Sequence, residues 1–417
     1  MKNAHSTMPK PTIASQDAEM ANLLEREDLR QATSLTLIAS ENHSSPAVRE
    51  ACASRCTDKY AEGYPGKRYY GGCEVADAIE DLARKRALQL FPGAGDANVQ
   101  PHSGTTANLA VLVALAGANG TIVGMALKDG GHLSHGHAKS HTGVLFHAHQ
   151  YGVRPEDGRI DMDQVRDLVR THRPKVLIAG GSSYPRAIDY RAFKEIAVES
   201  GALLMADVAH PAGLMAGGVM ASPVGIADVV TMTTHKTLRG PRGGMILSTP
   251  EVLKQIQSSV FPGAQGGPLM HQIAGKAVAF GEALQPSFRA YQQQVKDNAE
   301  HLAKYLQTQG LDIVTGGTDS HIVVVDLRRT TMTGADVEQR ALLAGLSVNK
   351  NAVPGDPRPP MVTSGLRLGT PAVTTRGMKQ REMEVLADVV VGIVQGKDPA
   401  SLRPVVQELC TRFPLPE

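Results

Sequence analysis

The sequence predicts an α/β protein with a mostly parallel sheet. From Ala87 onward, short apolar runs alternate with helical stretches, which is the pattern of parallel strands joined by helices. Hydrophobic residues make up 42% and charged residues 20% of the 417 residues, as in ordinary globular proteins. At about 150 residues per domain, this length predicts two or three domains.

The individual elements follow from the apolar periodicity. Strands are expected at 121–126, 176–178, 202–206, 228–232 and 322–327. Helices are expected at 107–115, 192–198, 272–309, 334–344 and, as the final helix, 376–394. The predicted division is an N-terminal arm and helix (1–50), a large domain (51–285) and a small C-terminal domain (286–417).

Charge and composition exclude several classes of partner. The 43 basic and 41 acidic residues nearly cancel, and no basic block with interleaved aromatic residues occurs, so neither nucleic acid nor a membrane is expected as a partner. Four cysteines in a long chain favour a reducing compartment. The N-terminus lacks the apolar core of a signal peptide, and we expect a cytoplasmic protein.

Two motifs suggest sites that the sequence does not support. The segment that begins Gly93-Ala-Gly95 resembles a dinucleotide-binding loop, but its third glycine is missing. Residues 132–149 contain six of the fifteen histidines, yet their spacing is irregular and Asp129 is the one carboxylate nearby. We therefore expect no metal site.

Lys236 is the strongest candidate for covalent chemistry. It lies just past the predicted strand 228–232, between hydroxyl residues, His235 and a glycine-rich turn. Partial burial at a strand end lowers a lysine pKa from its usual value of about 10.4. A lysine of this kind forms imines with carbonyl compounds.

Three further segments complement Lys236. Asp207 ends the predicted strand 202–206, where a carboxylate points into the ligand crevice and can pair with a protonated pyridine nitrogen. Ser103, Gly104 and Thr105 open the helix 107–115, and such a start binds phosphate. In this order, the segments predict a pyridoxal phosphate site.

Arg367 and His132 are candidates for binding substrate and cofactor. Arg367 lies between Gly365 and Gly369 in the predicted C-terminal domain, and a guanidinium fork binds a carboxylate through two hydrogen bonds. His132 follows a pair of glycines and is suited to stacking on a flat cofactor ring.

Longer motifs resemble the serine hydroxymethyltransferase family. They are LIASEN at 37–42, YAEGYPGKRYYGGCE at 60–74, GGHLSHG at 130–136, THKTLRGPRGG at 234–244, FPGAQGGPLMH at 261–271, NKN at 349–351 and the segment 363–376. They occur in the family's order and cover nearly the whole chain. The resemblance implies a fold-type I pyridoxal phosphate enzyme of the aspartate aminotransferase type, with a seven-stranded sheet, a small C-terminal domain and an obligate homodimer.

The resemblance also implies a role for each matched residue. Lys236 resembles the lysine that binds the cofactor, Asp207 the partner of its ring nitrogen, His132 the stacking residue and His210 the neighbour of the ring oxygen. The other cofactor-binding positions are Ser103, Gly104, Thr105, Ser182, Thr233 and His235, with Gly266 and Gly267 from the other subunit. The substrate positions are Ser40, Tyr70, Glu62 and Arg367; the folate positions are Leu127, Leu133 and Asn351.

The implied reaction moves the hydroxymethyl group of serine to tetrahydrofolate and leaves glycine, and it is reversible. The catalytic residues are Lys236, Asp207, His235 and, across the dimer interface, Glu62 with Tyr60 and Tyr70. Arg367 holds the substrate carboxylate, and Glu62 is placed for proton transfer.

Two alternatives stay open at the level of sequence. The chain departs from the family's usual residues at Thr105, Thr106 and Pro211, at Lys139 and His141, and around Asn351. These departures allow a specialised relative that acts on α-methylserine or cleaves other β-hydroxy amino acids. A regulatory protein that binds the cofactor without turnover is the third hypothesis, and the presence of Lys236, Asp207, Glu62 and Arg367 together argues against it.

Overall fold

The computed structural model describes residues 12–416. Within them the helices are α1 (Ile13–Gln16), α2 (Ala18–Thr33), α3 (Pro46–Cys52), α4 (Glu74–Leu90), α5 (Gly104–Ala116), α6 (His141–Leu145), α7 (Met162–His172), α8 (Tyr190–Ser200), α9 (Ala212–Ala216), α10 (Pro250–Ser258), α11 (Met270–Ala283), α12 (Pro286–Thr308), α13 (Gly334–Leu343), α14 (Pro371–Thr375), α15 (Gln380–Val394) and α16 (Pro399–Arg412).

The strands of the same residues are β1 (Leu35–Thr36), β2 (Gly63–Tyr64), β3 (Lys67–Arg68), β4 (Asp96–Asn98), β5 (Thr121–Met125), β6 (His147–Tyr151), β7 (Val176–Gly180), β8 (Leu203–Asp207), β9 (Val229–Thr233), β10 (Gly244–Ser248), β11 (Asp312–Ile313), β12 (Ile322–Asp326), β13 (Leu346–Ser347), β14 (Asn349–Asn351) and β15 (Gly365–Gly369). The part of the predicted N-terminal arm before residue 12 lies outside the described residues.

The large sheet has seven strands in the order β4-β10-β9-β8-β7-β5-β6. The pairs from β9 through β6 are parallel, whereas β10 is antiparallel to both of its neighbours. β7 and β9 are buried along their whole length, which explains their continuous apolar sequences, because helices cover both faces of a parallel sheet. This sheet confirms the predicted α/β class.

A second sheet has the order β11-β12-β15-β14 and is antiparallel. It packs in a separate hydrophobic cluster that includes residues of α12, α13, α15 and α16. Leu35 and Leu37 from the N-terminal part of the chain belong to the same cluster, because β1 pairs with β13. The division at residues 50 and 285 stays a prediction.

The predicted helix 272–309 is wrong as a single element, because it is two helices. α11 ends at Ala283, and Pro286 begins α12. A proline disfavours the helical conformation of the residue before it, and Gln285 accordingly adopts an extended backbone with ψ of 147°.

The prediction for the C-terminus is also wrong in two respects. The helix expected from residue 376 begins only at Gln380, because Gly377, with a φ of +92°, follows the short helix α14. It is not the final helix, since α16 follows it. None of the helices between residues 12 and 416 combines the length and the apolar character needed to cross a membrane.

Candidate active site

Lys236 lies three residues beyond β9, with 8% of its surface exposed. Burial is the main cause that lowers its pKa to about 8, and the charges of Arg367 and Arg242 act in the same direction. The charge of Asp207 opposes them. At pH 7 about one amine in ten is therefore neutral and able to act as a nucleophile.

Asp207 ends β8, beside β9 in the sheet. Its Oδ2 accepts hydrogen bonds from Asn108 Nδ2 at 2.8 Å and is 2.9 Å from His135 Nε2. Burial by itself would raise the pKa of Asp207, but the hydrogen bonds and the charge of His135 outweigh it and hold the pKa below its usual range. Asp207 is thus a buried carboxylate that stays ionised.

Two of the predicted histidines are neutral in this environment. His132 begins a short helical turn, and its Nδ1 lies 2.7 Å from Ser134 Oγ. Burial lowers its pKa to about 4. His210 stacks on His321 with ring centroids 5.4 Å apart, and its Nδ1 lies 3.3 Å from His321 Nε2. Burial keeps the pKa of His210 well below its ordinary value.

The predicted phosphate end is the start of α5. Ser103 caps this helix, and its Oγ accepts a hydrogen bond from Thr106 N at 3.1 Å. A side chain at position 104 has no room, because a Cβ there would lie 2.7 Å from Thr233 Cγ2. The unpaired backbone N–H groups of a helix start and its dipole favour a phosphate.

Lys236, Asp207, the two histidines and Gly104 at the start of α5 line one cavity. Its lining consists of Gly104, Thr105, Asn108, His132, His135, Gly181, Ser182, Asp207, Ala209, His210, Thr233 and Lys236. It combines a buried amine, an ionised carboxylate, a neutral histidine ring and a helix start. Pyridoxal phosphate fits this donor set, since it carries an aldehyde, a basic ring nitrogen, a flat ring and a phosphate.

Arg367, in the middle of β15, lines a second and larger cavity of about 450 Å³. Leu127, Ser182 and Asn351 line this cavity as well. Arg367 Nη1 donates to the carbonyl oxygen of Ser182 at 2.9 Å, and Nη2 donates to Asn349 Oδ1 at 2.8 Å. Burial lowers the pKa of Arg367 to about 10, so the group remains charged at neutral pH.

Ser40 reaches the small domain through backbone packing. The preceding Ala39 lies against Gly369 so closely that a Cβ at position 369 would be 2.3 Å from Ala39 Cα. Gly369 N donates to the carbonyl oxygen of Leu37 at 2.7 Å. This contact holds Ser40 close to the end of β15, the strand that carries Arg367.

Five predicted residues form a separate group, in which Tyr60, Tyr70 and Gly266 are exposed and Glu62 and Gly267 are half-buried. Tyr60 and Tyr70 are in edge-to-face contact, with ring centroids 5.2 Å apart. A Cβ at Gly267 would lie 3.6 Å from Tyr60 Cε1, and one at Gly266 would lie 3.8 Å from Glu62 Oε1. The charge of Glu62 is the main cause that raises the pKa of Tyr70. None of the five lines either cavity around Lys236 and Arg367.

His235 and Leu133, which were also predicted, line neither of the two cavities. His235 is half-buried, and Gly243 N approaches its Nδ1 at 3.5 Å. Burial, followed by the charge of Arg242, lowers its pKa to about 3. Leu133 is 47% exposed and follows His132 directly.

The comparisons with known proteins agree with this geometry. A family model described as serine hydroxymethyltransferase matches residues 13–390. A serine hydroxymethyltransferase of Paramagnetospirillum magneticum is 54% identical over 413 residues, which are 97% of this chain and 96% of that protein. The chain belongs to the serine hydroxymethyltransferase family. A further member, from Acinetobacter baylyi, is 51% identical over 412 residues, 97% of this chain and 99% of the relative.

Family membership confirms several expectations from the sequence. Serine hydroxymethyltransferases are fold-type I enzymes that use pyridoxal phosphate and move a one-carbon unit between serine and tetrahydrofolate. The fold class, the enzyme class, the cofactor and the co-substrate are therefore as predicted. The role of each individual residue stays a prediction.

Sequence reasoning missed four residues that contact the predicted ones. They are Asn108 and His135, which hold Asp207, His321, which stacks on His210, and Asn349, which holds Arg367. The sequence contained a signal for Asn108, which lies one helical turn after Gly104. His321 lies 111 residues from His210, and Asn349 lies 18 residues from Arg367 on the neighbouring strand, so no helical or strand period links either residue to its partner.

The histidines of residues 132–149 lie in unrelated environments. His135 contacts Asp207, His147 is exposed, and His149 stacks on His172 with centroids 3.5 Å apart. Over residues 12–416, no group of three or more His, Cys, Asp or Glu side chains is arranged to hold a metal ion.

Proposed function

We propose that this chain catalyses the reversible transfer of the hydroxymethyl group of serine to tetrahydrofolate through the residues of the Lys236 cavity. One observation carries the proposal. A buried lysine with a pKa of about 8 shares a cavity with an ionised aspartate, and Arg367 lies nearby without a carboxylate partner among residues 12–416.

The cofactor would be held by Lys236, Asp207, His132, His210, Thr233 and the start of α5. Pyridoxal phosphate supplies an acceptor for the electron pair released when the Cα–Cβ bond of serine breaks. Asp207 keeps the proton on the cofactor nitrogen, because its hydrogen bonds to Asn108 and His135 stabilise the carboxylate form. His132 presents a flat, neutral ring.

Arg367 would bind the substrate carboxylate, with Ser40 and Ser182 beside it. The guanidinium fixes one substituent of the α carbon, and this determines which of its bonds is aligned for cleavage. Lys236 can accept or release a proton near neutral pH because its pKa is close to 8.

Glu62, Tyr60 and Tyr70 would complete the site of a second subunit. They lie with Gly266 and Gly267 on an exposed surface of this chain, and Tyr60 is 57% and Tyr70 49% exposed. A two-fold dimer brings such a surface against the cavity of its partner. Glu62 then serves as the acid–base group of that site. This part of the proposal includes the homodimer and a cytoplasmic location.

The larger cavity would receive tetrahydrofolate. Leu127 and Asn351 line it, and it adjoins the Lys236 cavity because Ser182 lines both. Its volume of about 450 Å³ lies within the range of roughly 300–1,000 Å³ that is typical of small-molecule sites.

A substrate panel tests the proposed function. Serine, α-methylserine, glycine, D-alanine and allo-threonine are each assayed with and without tetrahydrofolate. We expect the highest kcat/KM for serine with tetrahydrofolate, and product analysis should give glycine. A kcat/KM for α-methylserine above that for serine would overturn the assignment of serine.

A further inference from the structure

The guanidinium of Arg367 is held by neutral acceptors alone. Its two described hydrogen-bond partners are the backbone carbonyl of Ser182 and the side-chain amide of Asn349. Its Nε is buried and has no partner among residues 12–416. Arg367 is therefore oriented at both terminal nitrogens without losing its charge to an ion pair.

The charge of Arg367 acts on its surroundings. It contributes to the lowered pKa of Lys236, His210 and His321, after burial in each case. Asp207, the carboxylate of the adjacent cavity, forms hydrogen bonds with Asn108 and His135 and not with Arg367. An anion that enters between the two cavities thus meets a desolvated and unpaired positive charge, which strengthens the attraction.

Asn349 faces Arg367 directly across the β14–β15 ladder. Because a guanidinium only donates hydrogen bonds, the amide oxygen of Asn349, and not its nitrogen, must face Nη2. An aspartate at this position would have nearly the same shape but would supply a permanent carboxylate. Asn351, two residues along the same strand, instead donates to the carbonyl oxygen of Ala352 at 2.6 Å.

We propose that Asn349 is a positioning residue that orients Arg367 for the substrate carboxylate while leaving its charge unpaired. The inference rests on the proposed function, in which Arg367 binds that carboxylate. Asn349 thereby contributes to the preference for amino acids over amines of the same size that lack a carboxylate.

The test compares two ligands that differ only in that group. The dissociation constants of glycine and glycinamide are measured on the cofactor-loaded enzyme from the absorbance change of the bound cofactor. In Asn349→Asp we expect glycine to bind about 100-fold more weakly and glycinamide to change less than about fivefold, because the new carboxylate competes with the ligand's. Asn349→Ala keeps the charge but frees Nη2, and glycine should bind about tenfold more weakly.

A control variant at a distant asparagine separates a specific effect of Asn349 from a general loss of stability. Asn298 is a buried asparagine of α12 that donates hydrogen bonds to Thr374 and Met378. Asn298→Asp should lower Tm and leave the ratio of the dissociation constants of glycine and glycinamide unchanged. Equal weakening of both ligands in the Asn349 variants would overturn the role of Asn349. If Asn349→Asp does not fold, the ratio in Asn349→Ala decides, and an unchanged ratio overturns the proposal.

Arg367→Lys distinguishes this inference from the function on which it rests. A wild-type ratio in Arg367→Lys would contradict the assignment of Arg367 as the carboxylate site. A reduced ratio in Arg367→Lys together with a wild-type ratio in both Asn349 variants would remove Asn349 from the mechanism and leave the proposed function intact.

Discussion

The groups around Lys236 and those around Tyr60 are both parts of the proposed mechanism, but they differ in how complete they are within one chain. The residues that line the Lys236 cavity all come from one chain, and Asp207, His132 and His210 each have a described polar contact. Tyr60, Tyr69 and Tyr70 are 57%, 75% and 49% exposed. Burial tunes the pKa values of the first group, whereas the second group needs another surface to cover it.

A buried polar network nevertheless holds the segment that carries the exposed tyrosines. Arg68, on β3, forms ion pairs with Asp77 and Glu80 at 2.8 and 2.7 Å, and its side chain is only 3% exposed. Gln100 Nε2 donates to Glu80 and to the carbonyl oxygen of Gly63. A buried polar network under exposed tyrosines indicates that their geometry is maintained in the isolated chain.

Replacing Lys236 should have the largest effect. Lys236→Ala removes the nucleophilic amine, so we expect transferase activity to fall by a factor of about 10⁴ or more. The visible absorbance of the bound cofactor should also be lost, as recorded by spectroscopy after dialysis. The exposed Lys254 provides a control, and Lys254→Ala should keep both signals. A mutant at 236 that retained the band would contradict the assignment of this lysine.

Mixed dimers test whether the two groups meet across an interface. Lys236→Ala and Glu62→Gln each inactivate every site of their own homodimer. A heterodimer of the two has one intact site if Glu62 acts in the partner, so a 1:1 mixture should recover about a quarter of wild-type activity. If Glu62 acted within its own chain, mixing would restore nothing. Co-expression with two affinity tags and an assay of the doubly tagged species decide between these results.

The pKa of Lys236 should control the rate at which the apoprotein takes up its cofactor. The neutral amine attacks the aldehyde, and its fraction increases about tenfold per pH unit below a pKa of about 8. The second-order association rate should therefore rise by roughly 50-fold between pH 6 and 8, and only about twofold more above pH 8. Stopped-flow absorbance measures the association rate, and a rate independent of pH would contradict a pKa of about 8 for Lys236.

Buried histidines should make the folded state sensitive to acid. His210 and His321 have a pKa well below 6.5 when folded, so below pH 6.5 the unfolded chain binds more protons and stability falls as the pH falls. For His321, whose folded pKa is about 3, the loss is roughly 1 to 2 kcal/mol between pH 6.5 and 5, and His210 acts in the same direction. Urea unfolding of His321→Gln should show a smaller dependence on pH than the wild type, and an equal dependence would exclude His321 as a contributor.

The smallest effect is expected at the exposed tyrosines. Tyr70→Phe removes a hydroxyl group from a half-exposed ring, so the free energy of unfolding, measured at a dilution that dissociates the proposed dimer, should change by less than about 0.5 kcal/mol. A much larger loss in chemical denaturation would show that Tyr70 is part of the core of this chain. The contrast between the buried groups around Lys236 and the exposed tyrosines would then be wrong.

Local sequence patterns determined the elements of the large sheet. The strands at 121–125, 176–180 and 229–233 are mostly apolar, with threonine as their only polar residue type, as a parallel sheet buried on both faces requires. The positions of Asp207 at the end of β8 and of Lys236 after β9 follow from the same runs. The long motifs identified the family and the cofactor, because their residue types and spacing are specific to this chemistry.

The tertiary structure decided which side chains hold the reactive ones. The hydrogen bond between Asp207 and His135 spans 72 residues, and the contact of Arg367 with Ser182 spans 185. Such contacts depend on strand order and on how the antiparallel sheet packs against the seven-stranded sheet, and neither is encoded in a local period. The sequence alone therefore determined the chemistry that is present, and the fold determined how burial and neighbouring charges set the protonation of each group.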